Sequence, residues 1–312
     1  MEKELRAEDL FVKKQSAETI QIPPEYEVVV KLSSVGRLGL PAVLHVRDYT
    51  FDDTLVFAKA NQRNESSVIL NLLKNLIYED IDLSKVTRQD ALEILMAIQG
   101  TFYSGYVEKE YLIDDTLTGD DLTAKENRSK ASIPVNSIRT VPVDKDVTIP
   151  IKISNNKFEA CFDFPRLIHD DIARTYVENK FAEKDNELSS LISRKASNTA
   201  SPEELKILSD YEDEKTTEYM RALTALQIIS VNGKTYETLD DKLTVLHKIP
   251  MVVLSLLANI LKSRFDFGVQ DEVTFTCEVT GKQITRRFNF RYTDFIPTME
   301  QGDVSGFDVS FG

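Results

Sequence analysis

Few residues in this chain have the types and spacing that chemistry would use. His169-Asp170-Asp171 sets an imidazole beside two carboxylates, the groups of a general base or a metal site. Adjacent helical residues point in different directions, so the tripeptide reads instead as a solvated first helical turn with acids favoured by the dipole. His45 and His247 have no acidic or thiol neighbour at ligand spacing. Cys161 lies between Glu159 and Asp163 on one strand face, and neighbouring carboxylates disfavour a reactive thiolate. Cys277 falls on the apolar face of its strand and reads as core. The acid runs Asp114-Asp115, Asp120-Asp121 and Tyr211-Glu212-Asp213-Glu214 lack the spacing and central Gly of a calcium loop. There is no phosphate-cradling Gly loop and no nucleophile elbow. The expectation is a chain that is not an enzyme, with no catalytic residue, cofactor, metal site or small-molecule substrate.

Charge and hydropathy narrow the partners. Lys plus Arg minus Asp plus Glu is 38 − 51 = −13, which repels phosphate backbones. The closest basic cluster, Arg286-Arg287 with Arg291, would be split between the two sides of a strand running from Ile284 to Tyr292, so no nucleic acid is expected. The longest apolar run, Ile249 to Leu261, is interrupted by Pro250, Ser255 and Asn259 and is too short for a bilayer; it reads as a core helix, and no membrane contact is expected. Met1 to Ile20 lacks a signal-type apolar stretch. Two distant cysteines fit a reducing compartment.

The elements that must position these residues read as α+β. Small β-hairpins stand at the ends and middle, with helical blocks and a long antiparallel helical hairpin between them. After a mobile arm over 1–24, alternation at Tyr26, Val28, Val30 and Leu32 and again at Leu44 and Val46 predicts a hairpin. Thr50 with Asp53 and Thr87 with Asp90 are helix-start signals, so residues 50 to 104 predict three helices within a first unit over 25–107. The polar stretch 108–146 reads as a linker or long loop.

A second α+β domain is expected over 147–296. It opens with alternation at Ile151 and Ile153, then Phe158, Ala160 and Phe162. Helical spacing from 166 to 230, interrupted at Ser197-Asn198-Thr199 and restarted by Ser201-Pro202-Glu203-Glu204, predicts the antiparallel hairpin. Helices capped by Thr238 and opened by Pro250 follow, then a last hairpin around Thr280-Gly281-Lys282. The helical hairpin is either a partner-binding arm or an intramolecular bundle, and as an arm it would make contacts through Tyr211 and Tyr219. In the tail 297–312, Phe307, Val309 and Phe311 alternate with Asp308 and Ser310. Such a strand pairs either with its own C-terminal hairpin or with a neighbouring subunit.

Leu32-Ser-Ser-Val-Gly-Arg-Leu38 followed by Leu44-His-Val-Arg-Asp-Tyr-Thr-Phe-Asp-Asp53 resembles the opening of the T-even-type bacteriophage baseplate hub proteins and hub-assembly factors. Gln99-Gly-Thr-Phe-Tyr103, Asn232-Gly-Lys234, Leu239 to Leu261 and the segment from Phe275 through Phe288-Asn-Phe290 to Phe295-Ile-Pro297 are similar to later parts of that family. The stretch from about Glu108 to Lys195 is not covered. Many relatives have a Cys-x-x-Cys-Gly knuckle in the final hairpin; here Cys277 is followed by Thr280 and Gly281, so no zinc is expected.

The resemblance implies a structural component of a contractile-tail baseplate, in the hub or wedge region. The alternative it leaves open is an assembly chaperone absent from the mature virion. Partners would be other phage tail and baseplate proteins, or a second copy. The chain would then be found in the host cytoplasm during assembly and, if structural, in the virion tail.

Overall fold

Val28 and Val30 are buried while Val29 and Lys31 are exposed, which makes β1 (Val28–Lys31) a half-buried strand. It pairs antiparallel with β2 (Val43–Val46) in register Val28↔Val46. The structure, a computed structural model, describes residues 22–60, 64–103, 105–114 and 127–296. The expected arm up to residue 21 and the tail 297–312, with Phe307, Val309 and Phe311, lie outside the described residues.

Three helices follow the first hairpin: α1 (Phe51–Phe57), α2 (Glu65–Leu76) and α3 (Arg88–Phe102). Thr50 with Asp53 and Thr87 with Asp90 form reciprocal caps, which satisfy otherwise orphaned amides at the starts of α1 and α3. α2 buries Ile69, Leu72, Leu73 and Leu76 completely against Ile94, Leu95 and Ile98 of α3 and Leu44 and Val46 of β2. Each such side chain contributes about 1.5–3 kcal/mol, so this is the main stabilising layer of the first core.

Within 108–146, expected as a linker or long loop, residues 108–112 and 128–134 are strand. β3 (Tyr106–Leu112) pairs with β4 (Arg128–Pro134) over seven consecutive positions, Tyr106↔Pro134 through Leu112↔Arg128. Its apolar face is sparse, only Val107, Tyr111, Ala131 and Ile133, and composition therefore reads as polar. Packing on Phe275 and Cys277 supplies the burial that local sequence does not show.

After β5 (Thr140–Val141) the chain builds a second core. β6 (Ile151–Asn155) and β7 (Phe158–Phe162) form the expected hairpin. The helical hairpin comes next, as α4 (Leu167–Glu187), α5 (Ser189–Ala196) and α6 (Pro202–Leu226). β8 (Ile228–Val231) and β9 (Lys234–Thr235) complete a sheet of order β6-β7-β8-β9. α7 (Leu239–Leu246) and α8 (Met251–Arg264) join Phe162, Ile228, Phe265 and Phe267 in this core.

The chain then re-enters the first core. β10 (Gly268–Val269) pairs with β5, and β11 (Glu272–Thr276) pairs with β12 (Gln283–Arg287). Val273, Cys277, Phe288, Phe290, Phe295 and Ile296 pack with α3, β3 and β4. The segment 268–296 thus belongs with the N-terminal core, not with a continuous unit over 147–296. A hairpin has an apolar face that needs a cover, and its sequence does not say which element supplies it.

α8, expected as a core helix, packs into the second core by one face only. In α8 only Val253 and Leu257 are buried, while Met251 is 75% and Val252 62% exposed. No single helix among the described residues is long and apolar enough to cross a membrane.

Candidate functional site

The arm formed by α4, α5 and α6 is the longest feature of the molecule, its two main helices roughly 30 and 40 Å long at 1.5 Å per residue. Ser201 and Glu204 cap α6 reciprocally, with Pro202 in its first turn. At its base Ala173, Ala222 and Leu226 cluster closely, and the base packs on α2 and α7. Farther out, Val177, Phe181 and Tyr211 form a separate small cluster, with the Phe181 and Tyr211 rings edge to face at 5.7 Å. Around it run the ion pairs Lys180–Glu218, Lys184–Glu214, Lys215–Asp185, Lys195–Glu212 and Arg194–Glu204. Exposed pairs contribute under about 1 kcal/mol each, so the outer arm depends mainly on its few buried rings.

Tyr211 and Tyr219, expected as contact residues, turn inward. Tyr211 is 4% exposed and its hydroxyl donates to Asp185 Oδ1 at 2.6 Å. Tyr219 is half-buried and donates to Asp170. Both lie on the stripe that faces α4, so their rings fill the helix–helix seam. The apolar side chains that the arm exposes are Ile172, Ile192, Leu205, Ile207 and Met220. Their signal in the sequence is that they stand off the buried stripe of otherwise polar helices.

The arm is anchored at a joint between the two cores. Arg166, only 5% exposed, caps the start of α4. Its guanidinium pairs with Asp163 through Nη2–Oδ1 at 2.6 Å and Nε–Oδ2 at 3.3 Å. Nη1 donates to the carbonyl of Lys85 at 2.8 Å and to that of Leu38. Burial alone would raise the Asp163 carboxyl, but hydrogen bonds and charge from Arg166 outweigh it and hold it below the usual range.

The turn Leu32–Leu38 meets this joint from the other side. Val35 and Gly36 take positive φ there. Ser33 N–H donates to Glu93 Oε2 at 2.7 Å, and Ser33 O accepts from Val143 N–H at 2.8 Å. Leu38 itself is buried in the second core. Burial pushes the Glu93 carboxyl up to about 7, with Asp90 adding to the rise and the bonds from Ser33 only partly offsetting it.

The other chemistry-capable residues take separate places. His169 Nδ1 accepts from Arg166 N–H at 3.3 Å, and burial lowers the imidazole to about 4. Asp170 bonds Tyr219 and Asp171 bonds Ser67, so the tripeptide diverges into three contacts. His45 Nδ1 lies 2.6 Å from Glu79 Oε1, a partner 34 positions away that spacing could not reveal. His247 Nε2 lies 2.5 Å from Arg221 Nη2. Cys277 is buried; hydrogen bonds from Thr280 and the Tyr111 hydroxyl bring its thiol down to about 7. Cys161 is half-buried. Arg286 reaches back to the carbonyls of Leu112 and Ile113 at 3.2 and 3.1 Å, and so ties the last hairpin to β3. Among the described residues no group of three or more His, Cys, Asp or Glu side chains could hold a metal ion.

Fold and site together define an α+β protein in which two cores share one joint and carry a helical arm. Comparison with family models, with curated proteins and with solved structures gave no match to this chain.

Proposed function

We propose that this chain acts by binding other proteins, as a structural component of a contractile-tail phage baseplate in the hub or wedge region. The observation that carries the reading is the arm. Phe181 and Tyr211 of its outer part belong to a small cluster made of arm residues, with polar and charged side chains around it, so its outer faces are offered to neighbours. The family resemblance supplies the setting, and its Leu32–Leu38 segment serves architecture in this chain by bonding both cores. Expected partners are other tail and baseplate proteins or a second copy, met in the host cytoplasm during assembly and retained in the virion tail.

Quantitative mass spectrometry of purified phage particles tests this. A fixed copy number relative to other baseplate proteins supports a structural role. Absence from particles, together with co-purification with hub proteins from infected lysates, would assign the chain to transient assembly. Absence from both would end the baseplate reading.

A further inference from the structure

The two edges of the first hairpin differ. Beyond β2, Val46 bridges Ile77, Arg47 N–H donates to Leu76 O at 3.1 Å, and Tyr78 N–H donates to His45 O at 2.9 Å. His45 N–H donates to Glu79 Oε2 at 2.9 Å, so that edge is closed. On β1 the bond from Leu32 N–H to Ala42 O at 3.0 Å sets the parity of the ribbon. Val30 and Val28 then bond Leu44 and Val46, and the backbone groups of Val29 and Lys31 point away from β2. Among the described residues neither Val29 nor Lys31 makes a backbone hydrogen bond on that side.

A groove of about 500 Å³ lies beside the open edge, lined by residues of β1, of α3 and of the stretch 134–140. None of its lining side chains is charged, in a chain whose residues are 29% charged. A charged group placed there would lose hydration and find no partner, so the groove selects uncharged side chains. Ala97 and Gly100 present little side chain on the α3 wall and leave room for those of an incoming strand. Val29 and Lys31 carry their own side chains on the exposed face, where Lys31 is the single charge of β1.

We propose that this groove takes an extended segment of a partner protein, which adds to β1 as a third strand. The segment carries small or apolar side chains at the positions facing α3, and an acidic one on its other face beside Lys31. The backbone part follows from outward N–H and C=O groups on alternate residues, a pattern that an extended chain matches. The side-chain part follows from charge, since the lining is neutral and the neighbouring exposed face of β1 carries one cation. The inference rests on the reading that this chain acts by binding other proteins and gives the form of one such partner. It does not need the baseplate setting, so its test and the composition of phage particles can fail separately.

The test is residue-resolved amide exchange by NMR on the full-length protein, titrated with a short capped peptide that alternates Val with Thr and has Asp at one Thr position. The Val29 and Lys31 amides should be open to exchange in the protein alone and become protected as peptide is added. A copy of the peptide N-methylated at every residue should have no effect. The Val30 amide, bonded to β2, should be unchanged throughout and so report an intact ribbon. Val29→Pro removes an outward donor without touching a bond to β2, and should weaken the peptide roughly tenfold. Lys31→Glu should reverse the preference for the Asp peptide over its Lys counterpart. Val29 and Lys31 amides that stay open at saturating peptide, or a response shared by the N-methylated copy, overturn the proposal. Protection before any peptide is added overturns it as well, because the edge would then be held by the chain itself or by a second copy. A K31E variant that still prefers the Asp peptide overturns the acidic position.

Discussion

Arg166 and Asp163 are paired bidentately at the point where the second core hands the chain to the arm. Since the same guanidinium also holds the carbonyls of Leu38 and Lys85, one side chain joins three separate stretches of sequence. Replacing it by Met should destabilise the protein by about 3–5 kcal/mol, because a half-buried carboxylate and two carbonyls lose their donor. Lysine should rescue only part, as an ammonium lacks the planar fork. Urea unfolding of both variants checks this; a loss under about 1 kcal/mol in R166M would mean the joint lies elsewhere.

The same pair predicts acid sensitivity. The folded Asp163 carboxyl is held below its ordinary value, so its stabilisation is present above the unfolded pKa and is lost as pH falls through the folded one. In R166M, where burial is left to raise the carboxyl, that acid-dependent loss should disappear, so the stability gap between the natural protein and the variant should narrow as pH falls. Melting temperatures of both proteins measured from pH 6 down to pH 3 check this; a gap that stays constant or widens would show that the pair does not titrate with folding.

Glu93 should act with the opposite sign. Its folded value is raised to about 7 from 4.5, so its contribution is fully present below 4.5 and is lost as pH rises through 7. Glu93→Gln keeps an acceptor for Ser33 N–H and removes the titration. The variant should be close to the natural protein near pH 4.5 and more stable at pH 8, by on the order of 2 kcal/mol. An unchanged stability difference across that range would show that Glu93 does not titrate with folding.

Phe181→Ala should loosen the outer arm alone. The ring packs with Tyr211 and Val177, and removing it costs about 3–5 kcal/mol of local stability. Hydrogen exchange should rise between 178 and 217 while β6 to β8 keep their protection. Uniform acceleration through both regions would show that the arm and the second core unfold as one.

α8 offers a direct contrast between adjacent positions. Leu256→Lys, on the exposed face, should change stability by no more than about 0.5 kcal/mol, whereas Leu257→Ala should cost about 2–5 kcal/mol. Equal losses at the two sites would mean that the helix is covered on both faces.

The sequence by itself determined the local elements. Thr50, Thr87, Ser201 and Thr238 start helices where their spacing says, since a cap is a matter of three or four neighbouring residues. Alternation likewise located the first, middle and last hairpins, and the whole is α+β as those elements imply. The tertiary structure decided what each apolar face meets. Val107 and Tyr111 became strand because Phe275 and Cys277 cover them, and 268–296 returned to the first core for the same reason. Tyr211 turned into the arm although its neighbours Glu212, Asp213 and Glu214 are all exposed. Met251 and Val252 stayed exposed although they sit in the most apolar run of the chain. Arg166 found Leu38 and Lys85 at separations of 128 and 81 residues. Periodicity is set by backbone geometry within a few residues, whereas burial is set by which surfaces meet, and that depends on the packing of the entire chain.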